Sequence, residues 1–396
     1  MVKVLAVLYP DPVNGYPTKY ARDSIPKITK YPDGTSVPNP KNIDFILGQL
    51  LGSVSGELGL RKFLEDGGNE LVVTSDKEGP NSVFEKELPD ADVVISQPFW
   101  PGYLNKERFE KAKKLKLAIT AGIGSDHVDL NAANEHQITV AEVTFSNSIS
   151  VAEHSVMQVL DLVRNFVPAH EVIRQGGWNI ADVVEHSYDL EGMTVGVVGA
   201  GRIGQAVLKR LKPFDVKLVY TKRHQLAPEV EKELGATFIK DVHDLMKQVD
   251  VAVLTPPLHS ETYHMVDADM IKSMKRGAYI VNDSRGELVV RDAIVEALNS
   301  GQLAGYAGDV WYPQPAPADH PWRTMPFEAM TPHISGTSLS AQARYAAGTR
   351  EILKDFLDGT PIRPDYLIAE AGQLAGTGAK SYTVKKGEES PGSEHE

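Results

Sequence analysis

The stretch TVGVVGAGRIGQAVLKRLKPF, residues 194–214, constrains the fold more than any other part of the chain. An apolar run with strand patterning leads into G-x-G-x-x-G and then directly into an amphipathic helical pattern. That is the context in which this spacing marks a dinucleotide-binding βαβ unit rather than an ordinary glycine turn. Gly199 would permit the tight turn, Gly201 would let the backbone approach a pyrophosphate, and Gly204 would let the helix pack closely on its strand. The N–H groups at the start of that helix would hold the phosphates, with Arg202 as a supplementary cation.

A second stretch, LVYTKRHQL at 218–226, refines this reading. About twenty residues after the glycines, a dinucleotide fold commonly places an acid that accepts from the adenosine ribose hydroxyls. Lys222, Arg223 and His224 stand there instead. Lysine carries donors and no acceptor, whereas lysine and arginine suit a 2′-phosphate, each charge-assisted hydrogen bond being worth roughly 1.5–3 kcal/mol. The expectation is NADP as cofactor, preferred over NAD; the competing reading is a solvated basic turn.

Short apolar runs alternate with amphipathic segments along the chain, the pattern of an α/β protein with parallel sheets. In the N-terminal third, VKVLAVLY, NELVVTS, ADVVISQ, KLKLAIT and ITVAEVT read as strands, with ELGLRKFLEDG and KERFEKAKKL as helices between them. SVAEHSVMQVLDLVRNFVPAHEVIRQG reads as one helix of about six turns. A second run of strands follows in MTVGVVG, VKLVYT, ATFI, VDVAVLT, GAYIVND and LAGYAGDV, and SAQARYAAGTREILKDFLDG returns as a helix. The 396 residues suit two or three domains.

Composition removes several classes of function. There is no cysteine, so disulfides, thiolate metal sites and cysteine nucleophiles are excluded. A formal net charge of −12 argues against nucleic acid or an anionic membrane as a partner. The five-residue apolar run in the opening MVKVLAVLYP is too short for the apolar core of a signal segment, and no run reaches the eighteen or so apolar residues of a membrane span, so a soluble, cytoplasmic protein is expected. No H-E-x-x-H or G-x-S-x-G spacing occurs, so neither a metal site nor a serine nucleophile is expected.

Three later stretches supply chemistry: VNDSRGELV offers Arg285 after a strand, WYPQPAPADHPW offers Gln314 in a proline frame, and MTPHISGTS presents His333. Together with ISQPFWPGYL, AGIGSDHVDL, SNSISVAEH, AGYAGDVWYPQPAP and AQARYAAGTREIL, they make the chain resemble the NAD(P)-dependent formate dehydrogenases of the D-2-hydroxyacid dehydrogenase superfamily, up to about residue 382. The resemblance implies oxidation of formate to carbon dioxide by direct hydride transfer to NADP or NAD. Arg285 would clamp the formate carboxylate, with Asn147 as a further donor. His333, oriented by Gln314, would add another. Ile123 would contribute an N–H and an apolar wall, and Pro98 and Phe99 would close the other side. Asp309 would hold the nicotinamide carboxamide, while Ile203, Pro257, Ser335, Gly336 and Lys380 complete the expected cofactor set. Hydroxyacid dehydrogenases pair their histidine with a carboxylate; the uncharged Gln314 implies hydride transfer without acid–base catalysis.

By the same resemblance the fold is α/β, with two doubly wound parallel-sheet (Rossmann-like) domains and the active site in the cleft between them. Residues 1–147 plus 334–382 would form the catalytic domain, 148–333 the coenzyme domain and 383–396 a flexible tail; the chain would pair as a homodimer. This chain departs from the family at Lys222, where an aspartate is usual, at Pro256, where cysteine is common, and at Lys380, where histidine is frequent. At Asp283 a small neutral residue is usual, and its carboxylate would either accept from the carboxamide or repel formate. A glyoxylate or hydroxypyruvate reductase is the alternative enzyme, needing an acid where Gln314 stands. A non-catalytic dinucleotide-sensing scaffold is the other alternative.

Overall fold

The computed structural model describes residues 1–16, 49–377, 379 and 382. Lys380 and the tail 383–396 lie outside the described residues. The first strands are β1 (Lys3–Val7), β2 (Glu70–Thr74), β3 (Val93–Ser96), β4 (Leu117–Thr120) and β5 (Thr139–Glu142). Next come β6 (Thr194–Val198), β7 (Lys217–Thr221), β8 (Ala236–Phe238), β9 (Val251–Leu254), β10 (Ala278–Asn282), β11 (Leu303–Gly308) and β12 (Glu328–Met330). Near the C-terminus, β13 (Leu367–Glu370) and β14 (Gln373–Leu374) complete the set.

The chain divides into two compact units, Met1–Asn147 with Gly336–Glu396, and Ser148–Ser335. Each contains one seven-stranded sheet, so the expected α/β class with two doubly wound sheets holds. In the first unit the order is β14-β13-β5-β4-β3-β1-β2, parallel except at the β13 edge, where β13 runs antiparallel to both β5 and β14. The three strands from β12 to β14 escape the sequence reading: β12 and β14 are outermost strands of three and two residues, too short for a period to show, and β13, of four residues, lies next to β14.

The second sheet, β12-β11-β10-β9-β6-β7-β8, is parallel throughout. Every residue of β9 and β10 is buried, as expected of strands covered on both faces. Period-two alternation then serves two cores: Val251 and Val253 enter one, Ala252 and Leu254 the other. The order reverses between β6, flanked by β7, and β9, and in open parallel sheets ligands bind beyond the carboxyl ends of the strands at such a reversal.

The expected six-turn helix is two helices, Ser148–Val163 and Phe166–Arg174. Asn165 between them is left-handed (φ 52°), and its side chain donates to Val183 O at 2.9 Å. Pro168 explains the break, because in an unbroken helix its ring would meet the carbonyl four residues earlier. Among the described residues no helix is long and apolar enough to cross a membrane.

Candidate active site

The glycine turn between β6 and the helix Arg202–Leu211 has the shape of a phosphate cradle. Gly199 has φ +92°, and a Cβ there would lie 2.7 Å from Pro256 N. At Gly204 a Cβ would lie 2.8 Å from Gly199 O and 2.9 Å from Val197 Cγ1. At Gly201, by contrast, the nearest atom to an added Cβ is 3.9 Å away. Two glycines are thus demanded by packing, and the third faces open space at a helix end that Gly201 leaves without a side-chain cap. Helical N–H groups at that end, including those of Ile203 and Gly204, suit an anion. The residues fit a dinucleotide pyrophosphate.

At the end of β7 the cation row splits into three environments. Lys222 is half-buried, and burial lowers its pKa, with no carboxylate among the described residues to offset it. Arg223 faces His259, Nη2 to Nε2 at 3.1 Å, while His224 is exposed. His259 is buried and anchored, its N–H donating to Thr262 Oγ1 at 2.9 Å; that hydroxyl donates to Pro257 O at 2.7 Å. Burial, and then the Arg223 charge, push the His259 pKa down, so the imidazole is held neutral. No sequence motif marks His259, which lies 36 positions from Arg223.

Beyond β10 the backbone of Arg285 is fixed by the preceding strand: Asn282 Nδ2 donates to Arg285 O at 2.9 Å, and Asn282 Oδ1 accepts from Ser284 N at 3.2 Å. The Ser284 hydroxyl donates to Pro256 O, which joins this loop to the one packed on Gly199. After β11, fully buried Asp309 accepts from Thr331 Oγ1 at 2.6 Å, Ile334 N at 2.7 Å and Ser335 N at 2.6 Å. His333 adopts φ 58° in that same segment, and its Nδ1 lies 2.9 Å from Gln314 Oε1. This unit therefore gathers Arg285, Asp309, Gln314, His333 and Ser335 on the loops that follow β10, β11 and β12.

Two residues here, half-buried His154 and buried Ser155, carry no sequence signal. His154 Nε2 lies 3.0 Å from Thr331 Oγ1, and Ser155 Oγ lies 2.5 Å from Asp283 Oδ2. Helical spacing identifies both only as inward-facing positions. Burial, followed by the charge of Asp309, raises the Asp283 pKa well above the usual carboxylate range.

In the other unit, Ile123 sits between Gly122 (φ 149°) and Gly124 (φ 108°) in the turn after β4. Glu142 Oε2 accepts from Gly124 N at 3.1 Å and from Tyr382 Oη at 2.9 Å, and Tyr382 Oη accepts from Ser125 N at 2.7 Å. Pro98 packs at Gly122, where a Cβ would meet its Cδ at 3.0 Å, and the Phe99 ring lies 6.2 Å from that of Tyr9. Asn147 is buried and Gly336 is pressed against it: a Cβ at 336 would lie 2.5 Å from Asn147 Nδ2.

Residues 156–335 match the family described as D-isomer specific 2-hydroxyacid dehydrogenase, NAD binding domain, in keeping with the second unit's parallel sheet and glycine turn. Over 394 residues the chain is 66% identical to formate dehydrogenase of Pseudomonas sp. (strain 101), spanning 100% of this chain and 98% of that one. Among solved structures, formate dehydrogenase of Granulicella m. superposes with a TM-score of 0.92 at 65% identity, covering 95% of this chain and 100% of its own. The NAD-dependent formate dehydrogenase of Staphylococcus aureus in complex with NAD gives 0.78 at 42% identity, covering 93% and 99%. The chain belongs to the formate dehydrogenase family.

Proposed function

We propose that this chain oxidises formate to carbon dioxide by direct hydride transfer to a nicotinamide dinucleotide, with NADP preferred over NAD and no acid–base step. The observation that carries the chemistry is the pairing of His333 with the Gln314 amide. An amide cannot stabilise an imidazolium as a carboxylate does, and formate has no hydroxyl proton for a base to remove. Turned about its terminal bond, the same amide presents an N–H to Nδ1, which leaves Nε2–H as a donor to an anion.

When bound, the oxidised nicotinamide ring accepts the hydride. The chain's own residues bind, orient and neutralise. Arg285 makes a two-pronged clamp on the formate carboxylate, Asn147 adds an N–H, and Ile123, Pro98 and Phe99 provide an apolar wall against which a neutral, linear product is favoured over an anion. Asp309 with Ser335 holds the carboxamide end, and Gly336 keeps Asn147 in place.

The NADP preference is supported by Lys222, a half-buried ammonium whose lowered pKa reflects desolvation, with no compensating acid among the described residues. A 2′-phosphate is the partner that would offset it. Growth of reduced nicotinamide absorbance with formate, giving kcat/KM separately for NADP and NAD, tests the whole reading. A clear NADP advantage is expected. Parity would return Lys222 to the solvated-turn reading, and no turnover with either cofactor would end the formate reading.

Assembly as a homodimer is proposed on the apolar surface of the second unit. Phe166, Ile173, Trp178, Ile180, Val184 and Tyr188 are all exposed, Trp178 to 80%, within one short stretch, which is more than a monomer usually leaves in water. Sedimentation equilibrium should return twice the chain mass.

A further inference from the structure

We propose that Asp283 is a neutral carboxylic acid in the folded protein, giving its proton to Ser155 Oγ and presenting Oδ1 as the acceptor for the amide N–H of a nicotinamide carboxamide. The second half of this statement rests on the cofactor reading above; the first half stands on the protein alone.

The hydrogen inventory leads to it. Ser155 has a single hydroxyl hydrogen. Two oxygens face its Oγ: Val151 O at 3.0 Å, four residues back on the same helix, and Asp283 Oδ2 at 2.5 Å. If that hydrogen serves the Val151 carbonyl, the contact with Asp283 requires a proton on the carboxyl group. The surroundings decide in favour of that arrangement. Asp309, on the neighbouring strand end, already accepts from Thr331 Oγ1, Ile334 N and Ser335 N, the donor set of an ionised carboxylate. Asp283 has Ser155 alone among the described residues, and its Oδ1 is buried with no partner. Of two buried carboxyl groups close enough to interact, the one without donors keeps its proton.

Among the described residues no cation relieves it. His154 on the adjacent turn faces Thr331 Oγ1, whose own hydrogen goes to Asp309, so His154 Nε2 is the donor in that contact; burial lowers the His154 pKa and keeps the ring neutral. Tyr306 on β11 is likewise held neutral by burial. Arg285 turns one guanidinium nitrogen to Ser284 O at 2.8 Å, and His333 is engaged with Gln314. The helix, β10, β11 and the loop after β12 thus bring one negative charge, that of Asp309, against Asp283.

Its place in the sheet says what the free oxygen is for. In a doubly wound sheet the adenosine half of a dinucleotide lies over one strand set and the nicotinamide half over the other. Lys222 follows β7 on the first side of the reversal, and Asp283 follows β10 on the second. The carboxamide is the donor carried by the nicotinamide ring itself, beside the ribose hydroxyls of that half, and a protonated Asp283 meets it without setting a charge against formate.

The test uses wild type, Asp283→Asn and Asp283→Ala. Infrared difference spectra between wild type and Asp283→Asn at neutral pH should contain the carbonyl stretch of a protonated carboxylic acid; a carboxylate pair of bands instead would overturn the proposal whatever the enzyme does. Calorimetric titration then compares NADP with its 3-acetylpyridine analogue, which keeps the ring carbonyl and lacks the amide N–H. Asp283→Ala should bind NADP about fivefold to thirtyfold more weakly and bind the analogue as wild type does. Asp283→Asn, with its N–H toward Ser155 and its carbonyl free, should restore NADP affinity. Equal losses on both ligands would reduce Asp283 to a structural residue. Failure of wild type to bind either ligand would instead refute the cofactor reading, and the carboxamide contact with it.

Discussion

The imidazole of His333 is oriented by an amide: its Nδ1 lies 2.9 Å from Gln314 Oε1. A glutamate at 314 would carry a charge and could only accept from Nδ1, so it would favour the imidazolium and raise the histidine pKa. In Gln314→Glu we expect formate turnover to fall at least about tenfold and its rate to acquire a pH dependence near neutrality that the parent lacks. A flat pH profile with full activity in the variant would remove Gln314 from the mechanism.

Arg223 rests on a buried, neutral His259. Replacing Lys222 by aspartate should lower kcat/KM for NADP about tenfold to a hundredfold, and His259→Ala should raise KM for NADP about threefold to tenfold with kcat nearly unchanged. If His259→Ala altered NAD and NADP kinetics equally, its role would be packing rather than support of the arginine.

Gly204→Ala places a Cβ within 3.0 Å of Gly199 O, Val197 Cγ1 and Thr255 Oγ1, none of which is the far end of a flexible chain. We expect a loss of about 1–3 kcal/mol in stability and weaker dinucleotide binding, read from denaturant midpoints and calorimetry. A variant with wild-type stability and affinity would show that the helix start shifts freely.

Asp283 links folding to pH with a definite sign. Its folded pKa is raised, against about 3.9 in an unfolded chain. Its contribution is therefore fully present below about pH 4 and is lost as pH rises toward and through the folded value, because the unfolded state releases a proton that the folded state keeps. The Tm of Asp283→Asn minus that of wild type should widen from pH 4 to 7. A constant difference would mean that the carboxyl group is ionised on both sides of unfolding.

Much of the fold was legible in advance because the signals are local. Short parallel strands of three to six residues, most of them buried, announce β1 to β11, and the glycines after β6 announce the cradle. The break at Asn165 is also local, in Pro168, but the apolar period continues across it and hides it. Types and order of residues placed Arg285, Gln314 and His333 as candidates, and the relatives agree with the family that those stretches resemble. Tertiary structure alone decided which groups share a proton or a charge. Ser155 and Asp283 are 128 positions apart, His154 and Thr331 are 177 apart, and Arg223 and His259 are 36 apart. Desolvation and hydrogen bonding act over a few ångströms of space, and residues at such separations meet only after the sheet has brought their strand ends together.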